Sequence, residues 1–579
     1  MTGVPTLASF PITLLLLFCW LGQTVNGKTI HDVVQTQIGM IQGKEEDWNG
    51  KKFTSFVGVP YGQPPVGNKR FAPPEMIASW DGVFEATSLA TTCFFTRDNV
   101  FPGFEGAEMW NSPKDKEQSE SCLNMNIWVP IGHNGTVLVW MFGGGFYSGS
   151  PSLDLYDGRV LAVRHSAIVV NINYRLGPFG FLYLGEESEV TGNIGLLDQQ
   201  LALKWINQNI FAFGGDATRL TLIGESAGAA SVSSHLFAPK SVKYFQRIIA
   251  MSGTIMNPWA TRTKKELIKS SMELVKNVNC VRSAAKDILN CLRQVPTQTI
   301  QNAADEINLN LSSIHPLSFA FVPVEEDPLF FQGSVFEKIE KGDIKRDVSV
   351  LLGTVKDEGT YWLPYYLSDD KYGFKFDPSV PSDDPRNYAL INQAQYNESI
   401  RAFLGYFRNS STVMTNLVSA YLNVSENKDE RERLRDGVAQ LIGDQFFVCD
   451  IIRFADVLVE TIKGNVYLYQ FTQRSSWNPW PSWMGVMHGY EIEYIFGEPL
   501  RNPQKYKKET LDVEQTFSRK IMQLWNYFAV SGNLPCPRYD SKGRKSIEFG
   551  DGTINETCTI TFDLHGDTCR LLAKQKNVA

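Results

Sequence analysis

One serine stands between two glycines in the stretch Thr221-Leu222-Ile223-Gly224-Glu225-Ser226-Ala227-Gly228-Ala229-Ala230, where an apolar run gives way to a helical pattern. A serine that projects from a sharp strand-to-helix turn needs neighbours without Cβ atoms, because the strained backbone must close tightly around it. Gly224 and Gly228 meet that need and make Ser226 a candidate nucleophile. The pattern alone is weak, since roughly 0.2 such matches are expected by chance in a chain of this length, and an ordinary helix start is the alternative. The surrounding sequence decides its meaning.

Short apolar runs alternate with longer helical patterns along the chain. Continuous apolar strands of this kind suit a sheet that is covered by helices on both faces. Residues 195–210 interleave apolar and polar side chains in the pattern of a helical crossover, and residues 265–345 and 365–445 are predicted to be mostly helical additions. The pattern predicts an α/β fold. Its six candidate strands span residues 137–142, 167–174, 220–223, 248–251, 348–352 and 466–469.

Residues 1–27 have the features of a secretory signal peptide. The apolar run Ile12–Leu21 is too short to span a bilayer, and small residues precede an expected cleavage site before Lys28. The segment has no Lys or Arg at its start, and a buried N-terminal helix is the alternative. We expect a secreted, extracellular protein. Residues 28–579 are expected to form one domain, because no linker, charge block or repeat divides them.

Eight cysteines remain after the expected cleavage, an even number that suits disulfide bonds in an oxidising compartment. Sequential proximity pairs Cys93 with Cys122 and Cys280 with Cys291. The sequence leaves open how the other four cysteines pair, which are Cys449, Cys536, Cys558 and Cys569. A secreted surface also agrees with six Asn-x-Ser/Thr glycosylation motifs, at Asn134, Asn310, Asn397, Asn409, Asn423 and Asn555.

The charge balance narrows the class of partner. A net charge of −7 gives a mild bias toward cationic ligands and argues against nucleic-acid binding. Residues 570–579 are polar, so the sequence predicts neither a lipid-anchor signal nor a membrane span there. The charge by itself fixes no function, and we expect no metal or cofactor.

Four motifs carry a resemblance to a known family. They are Gly143-Gly144-Gly145-Phe146, Asn193-Ile194-Gly195-Leu196-Leu197-Asp198-Gln199, Gly224-Glu225-Ser226-Ala227-Gly228 and Trp483-Met484-Gly485-Val486-Met487-His488-Gly489-Tyr490-Glu491. With them the chain resembles the type-B carboxylesterase and cholinesterase family over essentially its whole mature length, and within that family the secreted acetylcholinesterases. The resemblance implies the α/β-hydrolase fold, with a large mixed and mostly parallel sheet flanked by helices.

Ester cleavage by a serine needs a base that accepts its proton and an acid that orients the base. His488 stands in a glycine-bracketed loop after the last clear strand, and the resemblance makes it the base. Glu358 follows a predicted strand and matches the family's acid, in the chain order serine, acid, histidine that this fold uses. The neighbouring Asp357 is its competitor. The expected catalytic residues are therefore Ser226, Glu358 and His488.

The glycine triplet at 143–145 follows a strand and lacks side chains that would block a substrate carbonyl. Its amides can therefore point at a developing oxyanion. We assign Gly144, Gly145 and the amide of Ala227 to the oxyanion hole. A flexible loop is the alternative.

Aromatic residues point to the kind of ester. Trp110 lies in the loop that a Cys93–Cys122 bridge would close, a constraint of about 3–4 kcal/mol in the chain-entropy model. A quaternary ammonium group is best held by π faces, at roughly 0.5–2 kcal/mol each. The resemblance aligns Trp110 with the family's choline-binding tryptophan and Tyr361 with its companion, and Glu225 could add a negative charge nearby. Without the resemblance, a loop tryptophan more often serves packing.

The resemblance also places residues at the mouth of a gorge. Asp98 matches an acidic residue there that attracts cations, and the matching gorge aromatics are Tyr147, Tyr156 and Tyr365. The tryptophan that many members carry at the rim has no counterpart between residues 291 and 319. Ligands of the rim are therefore expected to bind more weakly.

The acyl pocket departs from the family pattern. Phe319 matches one of the two phenylalanines of acetyl-selective members, whereas Leu317 occupies the other position and Trp362 replaces a third phenylalanine. A smaller wall admits longer acyl groups, although one or two methylenes discriminate by only about 1–3 kcal/mol. With Trp362 in the vacated space, acetylcholine is the expected substrate, with imperfect exclusion of butyrylcholine.

Two other functions stay open. A general carboxylesterase without choline preference is expected if Trp110, Glu225 and Tyr361 do not converge on one cation-sized pocket. A catalytically dead adhesion ectodomain of the same family is disfavoured, because such proteins usually lack part of the triad and carry a membrane span. A monomer is expected, since the tail after Cys569 lacks the aromatic segment and free cysteine of the family's oligomeric forms. A dimer through surface helices is the alternative.

Overall fold

An eleven-stranded mixed sheet runs through the centre of the structure. The structure is a computed structural model that describes residues 32–113, 118–408, 411–422, 424, 428–550 and 558–576. The expected signal peptide at residues 1–27 lies outside the described residues, as do Asn409, Asn423 and Asn555. The strands in chain order are β1 (Val33–Gln35), β2 (Met40–Gln42), β3 (Lys44–Trp48), β4 (Lys51–Pro60), β5 (Val83–Glu85), β6 (Thr92–Cys93), β7 (Gln118–Ser119), β8 (Asn124–Pro130), β9 (Val137–Met141), β10 (Ile168–Ile172), β11 (Leu220–Glu225), β12 (Arg247–Met251), β13 (Glu326–Asp327), β14 (Gly333–Ser334), β15 (Ser349–Val355), β16 (Val466–Phe471), β17 (Lys545–Phe549) and β18 (Thr559–Phe562).

The spatial order of the large sheet is β18-β17-β16-β15-β12-β11-β9-β10-β8-β4-β3. The seven strands from β17 to β10 are parallel, whereas β18 at one edge and β8, β4 and β3 at the other are antiparallel. The three strands β1, β2 and β5 form a separate small sheet. The mixed, mostly parallel sheet predicted from the sequence is confirmed.

Helices cover the sheet. Their bounds are α1 (Glu105–Glu108), α2 (Arg159–His165), α3 (Gly177–Phe181), α4 (Ile194–Asn209), α5 (Ala227–Ser234), α6 (Lys264–Asn277), α7 (Ala285–Gln294), α8 (Thr297–Ile314), α9 (Val335–Lys341), α10 (Leu363–Tyr366), α11 (Gln393–Ala402), α12 (Ser411–Tyr421), α13 (Glu430–Gly443), α14 (Cys449–Thr461), α15 (Ile492–Ile495), α16 (Glu498–Arg501), α17 (Leu511–Ser531) and α18 (Gly566–Gln575). A π-helical turn, Asp444–Val448, joins α13 to α14. The crossover predicted over 195–210 is α4.

Each of the six apolar runs forms a strand of the large sheet, because its side chains are buried on both faces. Every residue of β9 and β10 is buried. The sequence pattern did not identify the antiparallel edge strands. In β3, for example, polar and exposed side chains leave no apolar alternation to detect.

The eight cysteines among the described residues form four disulfide bonds. Cys93–Cys122 and Cys280–Cys291 are confirmed. The pairing that the sequence left open is Cys449–Cys569 and Cys536–Cys558. The first of these two bridges ties α18 to the start of α14.

Three glycosylation motifs fall in the described part of the chain. Asn134 and Asn310 are exposed, whereas Asn397 is half-buried within α11, where Ser399 of the same motif is buried. Across the described residues, no helix has both the length and the apolar character that a bilayer crossing requires.

Candidate active site

Ser226 lies at the turn between β11 and α5, at the carboxyl end of a central parallel strand. Its φ of 56° and ψ of −122° are strained for a residue with a side chain. A Cβ on Gly224 would lie 2.3 Å from the carbonyl oxygen of Gly228, and a Cβ on Gly228 would lie 1.9 Å from that of Met141. Only glycine fits either position, so the two glycines permit the turn that presents Ser226.

The loop Gly143–Gly145 follows β9, the neighbour of β11 in the sheet, and so lies beside Ser226. A Cβ on Gly143 would come within 2.9 Å of Ser226 Cβ. Gly144 and Gly145 have φ values of 111° and 61°, which favour glycine. Within the described residues, neither of their amides donates a hydrogen bond, and the Ala227 amide, at the first position of α5, has no intrahelical acceptor. Three amide donors are thus free for a ligand oxygen.

His488 and Glu358 come together from the loops after two further parallel strands. His488 Nδ1 lies 2.7 Å from Glu358 Oε2, while Glu358 Oε1 accepts a hydrogen bond from the Val355 amide at 3.0 Å. Because a carboxylate can only accept, Nδ1 carries the proton and Nε2 is left as the basic nitrogen. Asp357 does not compete for His488, since its Oδ2 accepts from the amide of Val486 at 2.8 Å.

The second ring nitrogen of His488 lies near another carboxyl group. His488 Nε2 is 3.2 Å from Glu225 Oε1, yet neither atom makes a hydrogen bond. The structure records no hydrogen bond between His488 and Ser226. Such contacts are often long in a ligand-free enzyme and shorten when substrate binds.

Three glutamates are buried around His488. Burial raises the pKa of Glu225 well above its usual range, and repulsion from Glu358 adds to this effect. Burial likewise raises the pKa of Glu491, with contributions from Glu225 and Glu358. A negative charge on Glu225 is therefore favoured mainly when a cation lies beside it.

Two aromatic side chains cover the ring of His488. The ring of Phe447 lies 4.5 Å from the imidazole and that of Trp362 lies 5.2 Å from it, centroid to centroid. Sequence analysis missed Phe447, which stands on the π-helical turn, a feature without a sequence signal. It also gave no role to Glu491, although that residue ends one of the quoted motifs.

Trp110 and Glu225 meet at Gly489, the residue after the histidine. A Cβ at Gly489 would lie 2.9 Å from Trp110 Cη2 and 3.6 Å from Glu225 Oε1. Tyr361 lies on the 3₁₀-helical turn Thr360–Trp362, and its ring lies 5.9 Å from that of Trp480. Trp110 and Tyr361 both pack against one hydrophobic cluster that includes Trp480. Among the described residues, the rings of Trp110 and Tyr361 do not contact each other.

The residues expected to line the gorge have three different surroundings. The Tyr365 hydroxyl donates to Asp98 Oδ2 at 2.7 Å, and the Tyr361 hydroxyl lies 3.4 Å from that of Tyr365. Tyr147 is partly exposed and packs on Phe319, with ring centroids 5.2 Å apart. Tyr156 lies apart from both groups, in the core, where its ring packs against those of Trp140 and Phe496.

The expected acyl-pocket residues also occupy different surroundings. Phe319 lies against the glycine loop, since a Cβ on Gly145 would be 3.1 Å from Phe319 Cζ. Leu317 is buried and has a φ of 62°. The ring contacts of Trp362 are with Phe447, His488 and two tyrosines, so filling of the space beside Leu317 stays a prediction. Among the described residues, no group of histidine, cysteine or acidic side chains is arranged to hold a metal ion.

The sequence is similar to one protein family and to several of its named members. The model of the carboxylesterase family matches residues 31–557. Acetylcholinesterase 4 of Caenorhabditis briggsae is 41% identical over 521 residues, which cover 87% of this chain and 82% of that protein. The acetylcholinesterase of Bungarus fasciatus is 39% identical, with 87% and 79% covered, and the cholinesterase of Mus musculus is 37% identical, with 86% and 79% covered. The site agrees with this relationship, since a serine on a glycine-flanked turn lies beside a histidine–glutamate pair on a mostly parallel sheet. The chain therefore belongs to the carboxylesterase family, with its α/β-hydrolase fold.

Proposed function

We propose that the chain is a serine hydrolase that cleaves choline esters, preferably acetylcholine to choline and acetate, through an acyl-enzyme on Ser226. The observation that carries the proposal is the position of Trp110 and Glu225 beside the loop of His488, next to a strained Ser226 and three free amides. The acetylcholinesterase and cholinesterase names of the relatives support the same reaction.

The proposed chemistry assigns one task to each group. Ser226 Oγ attacks the ester carbonyl carbon as its proton passes to His488 Nε2, and Glu358 stabilises the imidazolium that forms. The amides of Gly144, Gly145 and Ala227 hold the negative oxygen of the tetrahedral intermediate. The intermediate expels choline, which takes the proton from His488. A water molecule then attacks the acyl-enzyme by the same route and releases acetate.

Recognition of the choline head is proposed to rest on Trp110 and Tyr361, with Glu225 as the adjacent carboxyl. A trimethylammonium group cannot donate a hydrogen bond, so aromatic faces suit it better than a buried charge alone. The raised pKa of Glu225 fits this role, because the arriving cation favours ionisation of the carboxyl group. Asp98 is proposed to attract the cation at the rim.

Acyl selectivity is proposed to follow from Leu317, Phe319 and Trp362. Phe319 narrows the space beside the glycine loop, whereas Leu317 is smaller than phenylalanine. We expect acetyl esters to be preferred over butyryl esters by about 10- to 100-fold in kcat/KM, which is a modest selectivity between two acyl groups that differ by two methylenes.

An extracellular protein is also part of the proposal. Four disulfide bonds are typical of proteins that fold in an oxidising compartment, and the expected signal peptide and the exposed Asn134 and Asn310 agree with it. We propose one domain over residues 28–579 and a monomer in solution, with a dimer through surface helices as the alternative.

The Trp110→Ala variant tests the choline assignment. Because a cation–π contact contributes roughly 0.5–2 kcal/mol, we expect kcat/KM for acetylthiocholine to fall by about 2- to 30-fold, while that for the neutral ester phenyl acetate changes far less. Trp80→Ala, a change in a tryptophan that packs on Phe84 of the small sheet, is the matched control and should alter neither rate. Equal losses for both esters in Trp110→Ala would favour a general carboxylesterase, and absence of turnover by the wild type would favour the adhesion role.

A further inference from the structure

The loop Pro316–Ala320 carries both Leu317 and Phe319, the two acyl-pocket side chains that the proposed function relies on. Leu317 has the left-handed φ of 62°, an unfavourable conformation for a residue with a side chain. Its side chain is nevertheless buried. A conformation of this kind persists only where the surroundings hold it, so the contacts around Leu317 decide the shape of the pocket wall.

The hydroxyl group of Tyr406 contacts the residues on both sides of Leu317. It lies 2.8 Å from the carbonyl oxygen of Pro316 and 2.6 Å from Ser318 Oγ. The Pro316 carbonyl can only accept, so the tyrosine donates its single proton there and accepts a hydrogen bond from Ser318. One hydroxyl group therefore fixes both neighbours of Leu317.

The ring of Tyr406 is itself held in place. It packs edge-on against Phe446 at 4.9 Å and lies 6.0 Å from the ring of His315. Phe446 belongs to the π-helical turn Asp444–Val448, which also carries Phe447. The hydroxyl group is thus presented from a packed ring rather than from a mobile side chain.

The other end of the loop has separate anchors. Arg262 Nε donates to the carbonyl oxygen of Phe319 at 2.8 Å, and the Ala320 amide donates to Asn308 Oδ1 at 3.0 Å. In the Leu317 half, the Ser318 amide also donates to the carbonyl oxygen of His315 at 3.1 Å. Loss of the Tyr406 hydroxyl group would therefore loosen the Leu317 half of the loop and leave the Phe319 half anchored.

We propose that Tyr406 is a positioning residue that determines acyl specificity, because its hydroxyl group bridges Pro316 and Ser318 and holds Leu317 in the wall of the acyl pocket. The proposal rests on the proposed function, which places the acyl group beside Leu317. Tyr406 acts through the loop and not on the substrate. A wall that discriminates methylene groups must be held within a fraction of an ångström, and this bridge supplies the restraint.

The test compares Tyr406→Phe with the wild type on acetyl, propionyl and butyryl esters of both thiocholine and p-nitrophenol. The substitution removes the hydroxyl group and keeps the ring. We expect the butyryl-to-acetyl ratio of kcat/KM to rise by about three- to tenfold in both ester series, since a relaxed wall admits the longer acyl group. Ser318→Ala, which keeps the Tyr406–Pro316 bond, should give a smaller rise.

Tyr396→Phe is the matched control. The Tyr396 hydroxyl group also donates to a backbone carbonyl, that of Val418 at 2.9 Å, and its ring is buried away from the acyl loop. Both tyrosine variants should lower Tm slightly, but only Tyr406→Phe should change the acyl ratio. A merely structural role for Tyr406 would lower Tm without changing that ratio.

An unchanged or lower butyryl-to-acetyl ratio in Tyr406→Phe would overturn the proposal. If that variant does not fold, an unchanged ratio in Ser318→Ala has the same meaning. A wild type that cleaves p-nitrophenyl esters but no thiocholine ester would contradict the choline function, and the p-nitrophenyl series would still decide the role of Tyr406. A wild type without activity on either series would contradict both.

Discussion

Two hydrogen-bonded histidine–carboxylate pairs with buried acids lie in the described part of the chain, and only one of them is a candidate catalytic pair. His488 Nδ1 faces Glu358 at 2.7 Å, and His565 Nδ1 is hydrogen-bonded to Asp444. Both carboxyl groups are almost fully buried. The pairs therefore look alike when the histidine and its acid are considered by themselves.

Their surroundings differ. Beside His488 the backbone provides a strained Ser226 and three amides without acceptors, and the second nitrogen of the ring makes no hydrogen bond. His565 instead stands at the position just before the first residue of α18, and the remaining oxygen of Asp444 accepts a hydrogen bond from Tyr421 at 3.0 Å. The candidate site is therefore distinguished by free hydrogen-bonding groups beside a nucleophile, namely the second nitrogen of His488 and the three backbone amides, and not by the histidine–carboxylate pair itself.

The two pairs are also physically connected. Asp444 begins the π-helical turn, and Phe447 on the same turn packs against the ring of His488. The second pair thus helps to place one of the aromatic walls of the first. We interpret the His565 pair as a structural support for the active site.

The largest expected difference between the pairs is in catalysis. His488→Gln removes the proposed base, and we expect kcat for acetylthiocholine to fall by about 10⁴- to 10⁶-fold. His565→Gln should leave kcat of the folded protein close to that of the wild type. Steady-state kinetics of the two purified variants, with circular dichroism to verify folding, makes the comparison. Similar losses in both folded variants would contradict the distinction.

The next comparison separates two adjacent acids. Glu358→Gln preserves the shape of the side chain but favours the wrong histidine tautomer, and we expect kcat to fall by about 10⁴-fold. Asp357→Asn weakens only the bond to the Val486 amide and should cost far less activity. A larger loss in Asp357→Asn, measured under the same conditions, would show that the acid had been assigned to the wrong neighbour.

The third comparison concerns stability. Cys449–Cys569 anchors α18 close to His565 and closes a sequence separation of 120 residues. In the chain-entropy model, replacement of both cysteines by serine should lower the free energy of unfolding by about 3–5 kcal/mol without a matching loss in kcat. Denaturant unfolding of this double variant should show a larger loss than that of Cys536→Ser/Cys558→Ser, whose bridge spans 22 residues. An active-site role for the first bridge would appear instead as lost kcat in protein that is still folded.

The smallest expected effect is the pH dependence of the His565 pair. Burial lowers the pKa of His565, but the charge and hydrogen bond of Asp444 together outweigh it, so the pKa is raised above its ordinary value. A raised folded-state pKa stabilises the protein fully below the unfolded pKa of about 6.5 and loses that contribution as the pH rises through the folded value.

We therefore expect His565→Gln to destabilise the protein more at pH 5.5 than at pH 8.5, by roughly 1.5–3 kcal/mol at the lower pH, the usual range for a hydrogen bond to a charged group. Urea unfolding of the variant and the wild type at both pH values measures this difference. A destabilisation that grows toward high pH would have the wrong sign for the pair as described.

Sequence reasoning recovered the parts of this site that depend on local chemistry. Glycines at 224 and 228 permit the serine turn, and the continuous apolar runs predicted six of the seven parallel strands, all except β17. The pairing of Glu358 with His488 agrees with the expected acid and base, and the two short-range disulfide bonds were paired correctly. Each of these has a cause that lies within a few residues of sequence or in a family motif.

Features that depend on tertiary packing could not be predicted in the same way. Phe447 lies against His488 from the π-helical turn that joins α13 to α14, and Tyr406 contacts the two neighbours of Leu317 across almost ninety residues of sequence. The distant pairing of Cys449 with Cys569 depends on where α18 returns to the fold. The closeness of Glu225 to His488 Nε2 likewise follows from the meeting of the carboxyl end of β11 with the loop after β16.

The central claim, that Ser226 is the nucleophile of a covalent hydrolase, is tested most directly by labelling with a fluorophosphonate and peptide mass spectrometry. In such a reaction the serine oxygen bonds to phosphorus and fluoride leaves, which traps an analogue of the acyl-enzyme. The account predicts one adduct per chain, on the peptide that contains Ser226, with esterase activity lost in proportion and no adduct in Ser226→Ala. Loss of activity with the adduct on another residue, or esterase activity that survives in Ser226→Ala, would contradict it.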